Sequence, residues 1–377
     1  MRIKYTVYFI VFLSVLKGTN LRAQDPSFTQ FVFNKLYFNP AFCGDNKGFA
    51  LGITGRSLWQ SVPSGFYTSK VSADWNIPVY NKSMGIGLIG ISDVEGEGYL
   101  SNYSLGLPIA FKVDIQKNVF SFRFGLQASV FQNSINWNHL TFSNQFDPIN
   151  GLVRSSGIEQ YTENEDQIVK VDFASGGILE YRNKGAKNWS VRLGAAGYHL
   201  TRPDISYYKT GRLPIKMVYH IDGTVFFNKK NIFSLNPAFV VENQSKMQTV
   251  VAGSNFSFYP NLSNHSFFAG LWYRRWRNAD AIDLTVGCRF NNLGSWNMLL
   301  YYNYDLTGSN LATVSGGSHE VGIAFEFDRS KRFKINKMAA KNCSTESNSG
   351  VRRKARIKRS GKKNRINKKS ETNILGL

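Results

Sequence analysis

The sequence predicts an all-β chain, a transmembrane antiparallel β-barrel of about 14 strands followed by a basic, disordered C-terminal tail. Three observations carry this expectation. Between residues 48 and 327 apolar and polar residues alternate with the two-residue period of a strand that has one apolar face. Most alternating segments run about nine to twelve residues, close to the ~9–11 a tilted membrane strand needs and longer than the ~5–6 usual in soluble strands. The gaps between them are short on one side and long on the other, as in outer-membrane barrels.

The expected strands are 48–56, 66–76, 84–92, 99–112, 118–132, 168–181, 189–199, 216–227, 232–242, 248–259, 265–275, 280–290, 296–305 and 319–327. In the fifth, Phe120, Phe122, Phe124, Leu126, Ala128 and Val130 share one face, and Ser121, Arg123, Gly125, Gln127 and Ser129 the other. Gaps after even-numbered strands are 7, 5, 7, 4, 5 and 5 residues, and after odd-numbered strands 9, 6, 35, 16, 5, 4 and 13. The long gaps therefore share one side, expected to be the cell surface, which puts both termini in the periplasm. Arg123, Arg192 and Arg289 all fall on polar faces, where they avoid the ~2–4 kcal/mol cost of facing lipid at mid-depth. Trp75, Trp189, Trp272, Trp276 and Trp296 lie near strand ends, as expected of an interfacial aromatic girdle.

Residues 1–23 have the form of a secretory signal: Arg2 and Lys4, an apolar run from about Tyr5 to Leu16, and Ala23 before the expected cut. Residues 24–47 then form an N-terminal periplasmic segment, 48–327 the barrel and 328–377 the tail. In that segment Phe31, Phe33, Tyr37, Phe38 and Phe42 offer apolar anchor area and Pro40 fixes a turn, so it is expected to fold into or under the periplasmic mouth.

The chain has 46 Lys+Arg and 25 Asp+Glu, a net charge of +21. From Arg329 to Leu377 there are 17 basic and 2 acidic residues, a net +15, which leaves +6 for everything before. The tail taken alone resembles a nucleic-acid-binding run, but behind a secretory signal that partner is excluded. Its expected contact is an anionic periplasmic partner, at ~1 kcal/mol per base if the partner is lipid.

Constellations for chemistry are weak. Cys43, Cys288 and Cys343 give no disulfide framework and no metal-ligand spacing. Gly85, Gly87 and Gly90 match a dinucleotide fingerprint but lie inside the third strand, where small residues on a barrel wall explain them better than a phosphate loop before a helix. The five histidines are scattered, and Ser318 and His319, as strand neighbours, point to opposite faces and form no dyad. No catalytic residue, cofactor or metal is expected, so the chain reads as a non-enzyme.

Against this background the stretch from Gln24, QDPSFTQFVFNKLYFNPAFCG, resembles the start of the PorP/SprF family of type IX secretion-associated outer-membrane proteins. Asp25, Pro26, Phe28, Gln30, Asn34, Asn39, Pro40, Ala41, Phe42 and Gly44 carry the match. Arg56 and Trp59, Asp93 and Gly98, and a closing hairpin with Tyr304, Asp305, Gly317, Ser318, His319 and Glu320 extend it to residue 327. Cys43 and the basic tail depart from the pattern. The resemblance implies an outer-membrane protein that assists export or surface anchoring of cargo such as gliding adhesins, with outer-membrane lipid, type IX components and a secreted protein as partners. The loop 133–167, with Trp137, Phe142, Phe146 and Tyr161, is the expected outer contact. A diffusion channel for small solutes is the alternative, and a lipase at the rim a more distant one.

Overall fold

The computed structural model describes residues 25–327 apart from 47, 63–64, 80–81, 97, 117–118, 141–145, 148, 150, 153–166, 184–188, 206–210, 228–231, 261–264, 277–278, 294–295 and 309–315. The expected signal and tail lie outside the described residues, as do Phe142 and Tyr161. Among the described residues there are 16 strands: β1 (Phe49–Leu58), β2 (Phe66–Val79), β3 (Lys82–Glu95), β4 (Leu100–Gln116), β5 (Phe120–Ser134), β6 (Phe146–Asp147), β7 (Gly151–Leu152), β8 (Gln167–Asn183), β9 (Trp189–Tyr198), β10 (Lys216–Phe226), β11 (Phe233–Gln244), β12 (Met247–Phe258), β13 (His265–Trp276), β14 (Ala279–Leu293), β15 (Trp296–Thr307) and β16 (Ser318–Phe327).

All but β6 and β7 form one closed antiparallel barrel in which neighbours in sequence are neighbours in space. The seam closes β1 on β16, from Phe49 opposite Phe327 to Leu58 opposite Ser318. Closure removes every sheet edge, so each backbone polar group within the wall has a partner without water. The small β6–β7 hairpin falls within the longest expected gap. Each of the 14 expected strands is present, and several run further than expected. β4 continues to Gln116 although Val113 and Ile115 are exposed beside Asp114 and Gln116. There the hairpin partner β5 sustains pairing after the alternation has faded, which a single sequence does not display.

The wall is inverted relative to a soluble protein. Apolar residues such as Leu107, Leu126, Val286 and Val321 are more than half exposed, while Lys70, Asp172, Asp283 and Glu320 are buried. An apolar exterior around a polar interior is what lipid outside and a lumen inside select. Trp272 corrects the expected girdle. It faces inward, is fully buried, and its indole N–H donates to Asn255 Oδ1 at 2.9 Å. Gly253 and Gly270 beside it lack the side chains that would exclude the ring.

The two mouths differ. One carries the connections 80–81, 117–119, 184–188, 227–232, 259–264 and 294–295, and β1 begins and β16 ends there. The other carries 59–65, 96–99, 135–166, 199–215, 245–246, 277–278 and 308–317. We call them the short-turn and long-loop mouths.

Candidate functional site

The lumen is occupied by the chain's own residues 25–45. The sequence reading placed this stretch in or under the short-turn mouth, but it runs along the lumen from one mouth to the other. Its local shape follows from its residues. After one helical turn, Lys35–Phe38, a 3-10 turn covers Pro40–Phe42. Asn39 caps that turn, its Oδ1 accepting from the Ala41 N–H at 2.9 Å, and Pro40 occupies the first position, where a missing N–H costs nothing. Gly44 adopts φ +68°, which favours glycine. Its N–H donates to Asp74 Oδ2 at 2.9 Å and its carbonyl accepts from Asn76 Nδ2 at 2.6 Å, turning the chain into β1.

The middle of the segment is apolar. Phe31 lies 5.3 Å from Phe38, 6.1 Å from Phe42 and 5.0 Å from the His220 ring, centroid to centroid. Phe28 meets Tyr37 edge-on at 4.9 Å, and Phe33 stacks on Tyr301 at 4.4 Å. This cluster packs against Ile178, Val218, Val240 and Trp272 of the wall. Backbone meets backbone where the wall has glycine: a Cβ at Gly125 would stand 2.5 Å from the Pro40 carbonyl carbon and 2.6 Å from Ala41 Cα. Gly85 and Gly176 give similar clearance to Cys43 and Asn39.

Polar ties fix the depth of each residue. Asn34 is the hub of the seam side. Its amide donates to Gln30 O and Glu320 Oε1 at 2.9 Å and lies 3.2 Å from the Tyr301 hydroxyl, while its carbonyl oxygen accepts from Thr54 at 3.0 Å and from the Lys70 ammonium. Gln30 donates to Asn303 Oδ1 at 2.9 Å, and the Thr29 N–H to Glu320 Oε2 at 2.6 Å. Arg56 donates to the Ser27 carbonyl and stands 3.5 Å from Asp305, which also binds Arg274 at 2.7 Å. Asn39 donates to Gly177 O at 3.2 Å and Ala195 O at 3.3 Å, tying the segment to β8 and β9.

Charge pairs hold both ends. At the long-loop mouth Asp25 sits 2.8 Å from His199 Nε2 and 3.8 Å from Lys216, and its N–H donates to Gln244 Oε1 at 3.0 Å. His199 Nδ1 lies 3.0 Å from Asp172, so the imidazole is held between two carboxylates. Burial alone would lower its pKa, but Asp25 and Asp172 together outweigh that and raise it to about 9. Burial likewise works against the Asp25 carboxylate, yet His199, Lys216 and Gln244 keep its pKa well below the usual range. Near the short-turn mouth Asp45 meets Arg123 at 2.9 Å and Arg192 at 3.0 Å. Cys43 is buried, its thiol donating to the Pro108 carbonyl at 3.4 Å.

Above the segment the long-loop end opens into a vestibule. One cavity of about 1120 Å³ is lined by Asp25, Tyr37, Asp93, Trp137, His199 and Arg212, among others. A second, of about 450 Å³, shares Asp25 and Asp93 and adds Arg56, Trp59 and Phe66.

The residues singled out from the sequence divide accordingly. Asp25, Pro26, Phe28, Gln30, Asn39, Pro40, Ala41, Phe42 and Gly44 belong to the lumen segment, and Arg56, Asp305 and Glu320 are wall residues facing it. Asp93 is a buried wall residue of the vestibule that accepts from Thr68 at 2.5 Å. Trp59 (φ +56°) and Gly317 (φ +76°) bond to each other at the long-loop mouth through a 2.9 Å N–H to carbonyl contact. Tyr304 and His319 pack 4.9 Å apart, away from the lumen, whereas Ser318 faces in and is buried. The histidines His199 and His220, the clamps Lys216 and Gln244, and the hub partners Lys70, Tyr301 and Asn303 were not singled out in the sequence. Among the described residues no group of three or more His, Cys, Asp and Glu side chains is arranged to hold a metal ion.

Among solved structures the chain is similar to the CymD monoaromatic hydrocarbon channel, with 11% sequence identity over 78% of this chain and 92% of that one and a TM-score of 0.48. It is also similar to a Pseudomonas aeruginosa FadL homologue (11% identity, 81% and 95% covered, TM-score 0.44) and to Pseudomonas putida OprB (9%, 74% and 94%, TM-score 0.38). No curated protein matches it. The family model for the type IX secretion system membrane protein PorP/SprF matches residues 20–325, from just before the lumen segment almost to the end of β16. With its barrel closed on that segment, the chain belongs to the PorP/SprF family of type IX secretion system membrane proteins, whose fold and membership point to a Gram-negative outer membrane.

Proposed function

We propose that the protein is a non-enzymatic accessory component of type IX secretion, a stoppered outer-membrane barrel that receives secreted or surface-anchored cargo at its long-loop mouth. The observation that carries this reading is the pairing of a filled lumen with an open vestibule. The aromatic cluster around Phe31 occupies mid-lumen, and the space above it faces the side with the largest loops. A stoppered barrel suits protein recognition, because loops and a recessed cavity on a rigid scaffold offer contact surface. It suits free diffusion poorly, since solutes would have to displace a segment tied at both ends. Export through a signal cleaved after Ala23, and contact of the basic tail with an anionic periplasmic partner, belong to the same reading. Deleting residues 138–163 tests it: the barrel should still assemble while surface display of cargo falls. Undiminished display would remove that loop from the mechanism.

A further inference from the structure

The lumen segment connects the two mouths, so Asp25 and the start of β1 lie at opposite mouths. We infer that the N-terminal end of the lumen segment opens at the long-loop mouth, beside the vestibule, so that Asp25 and Pro26 form part of the partner-facing surface. The direction of travel is set by a graded series of contacts. Asp25 is held by His199, Lys216 and Gln244, which stand just after β9, at the start of β10 and at the end of β11, all at the long-loop mouth. Ser27 and Thr29 lie a little deeper, against Arg56 and Glu320. Asn34 reaches Thr54 and Tyr301 at mid-strand. Gly44 and Asp45 meet Asp74, Arg123 and Arg192, near the other mouth. From Asp25 to Asp45 the contacts descend overall, with one fold-back at Tyr37, whose carbonyl accepts from Tyr198 at 2.7 Å and whose hydroxyl lies 3.3 Å from Lys216, and Phe49 then opens β1 at the short-turn mouth. An even number of strands alone would leave both ends of the barrel at one mouth, but the lumen segment adds one further passage.

The vestibule thus has a floor made from the chain's own start. Asp25 and Pro26 line both cavities, so a partner entering either would meet the backbone that leads out of the N-terminal end. Which mouth faces outward rests on the proposed function, but the shared mouth of N-terminus and long loops does not.

Three epitopes test this, each in an otherwise intact chain: one directly ahead of Asp25, one within 153–160 and one within 184–188. Antibody labelling is compared on intact and lysed cells. The N-terminal epitope is expected to label as the 153–160 epitope does, and labelling that follows the 184–188 epitope overturns the inference. If 184–188 is accessible on intact cells and 153–160 is shielded, the orientation in the proposed function fails, while the inference stands provided the N-terminal epitope still tracks 153–160. Because an epitope can disturb seating, a second measurement uses no tag. In a chain with Cys43→Ser, Cys288→Ser and Cys343→Ser, a short bis-maleimide should join Asp25→Cys to Gln244→Cys in native membranes. No product from that pair, when Asp45→Cys and Arg123→Cys cross-link, would likewise overturn it.

Discussion

Gly125→Ala isolates the seating of the lumen segment from the stability of the wall. Gly125 faces inward on β5, and the new methyl would lie 2.5 Å from Pro40 C and 2.6 Å from Ala41 Cα, against an ordinary carbon contact of ~3.5–4.0 Å. Both obstructing atoms are backbone, so no rotamer change relieves the overlap, and the segment must move by about 1 Å. Overpacking of this kind costs ~1–3 kcal/mol. Because the cost falls on the seated state alone, the unseated population rises by about 5- to 150-fold. The assay is single-channel recording of the purified protein in planar bilayers, counting opening events per channel. Gly90→Ala is the control, since its Cβ would meet nothing nearer than Leu105 Cδ1 at 3.9 Å on the outer face. Opening frequencies equal in Gly125→Ala, Gly90→Ala and the parent would mean that the segment does not seal the lumen, and the stoppered-barrel argument would fail.

Two further outcomes follow from the ends and the hub. His199, with a folded pKa raised to about 9, contributes stability that is complete below its unfolded value of ~6.5 and is lost as pH rises through about 9. Asp25, with a depressed folded pKa, contributes above ~3.9 and loses its share only as pH falls toward its low folded value. Opening frequency should therefore be flat from about pH 5 to 6 and climb between about pH 6.5 and 9, and His199→Gln should flatten the climb; an unchanged alkaline rise in that variant would assign it to other groups. Asn34→Ala removes an acceptor from Lys70 and a donor from Glu320, hydrogen bonds to charged groups worth ~1.5–3 kcal/mol each. Its barrel should unfold at a lower temperature on semi-native gels, and Asn34→Asp, which sets a second carboxylate against Glu320, should not restore it. A parent-like transition in Asn34→Ala would show that the hub bonds are replaced by water.

The wall was legible in the sequence because a two-residue period is a local property, set by which face each side chain takes. All 14 strands follow from it, and so does the inward placement of Arg123 and Arg192. Lumen contacts are set instead by which strands the closed barrel brings opposite a given residue of the segment. Asn39 and Pro40 mark a turn in any context, but nothing local indicates that Gly85, Gly125 and Gly176, on three separate strands, cradle it. Only Gly85 belonged to a pattern, and there it read as a small wall residue. His199 opens the connection 199–215 and Lys216 follows it, and the two come together only when β9 pairs with β10. Trp272 was misplaced because a position near a strand end suggests the interface equally for either face, and Gly253 and Gly270, which make room inside, lie on different strands.

The segment's composition explains how one peptide can settle in a lumen whose walls are largely polar. A wholly polar filler would exchange bonds to water for bonds to the wall at a net gain of ~0.5–1.5 kcal/mol each, and many registers would be nearly equivalent. A wholly apolar filler would take from Lys70 its Asn34 acceptor and from Glu320 its Thr29 and Asn34 donors, at ~1–3 kcal/mol or more for each buried group left short of a partner. Here the aromatic cluster at mid-depth gains from burial regardless of fine register. The charged ends do not share that tolerance: a slip of one residue would carry Asp25 away from His199 and Asp45 away from Arg123 and Arg192 together. Affinity and register are thus supplied by different parts of the same 21 residues, 25–45. Loss of charge at either mouth should loosen the setting of the segment before it empties the lumen.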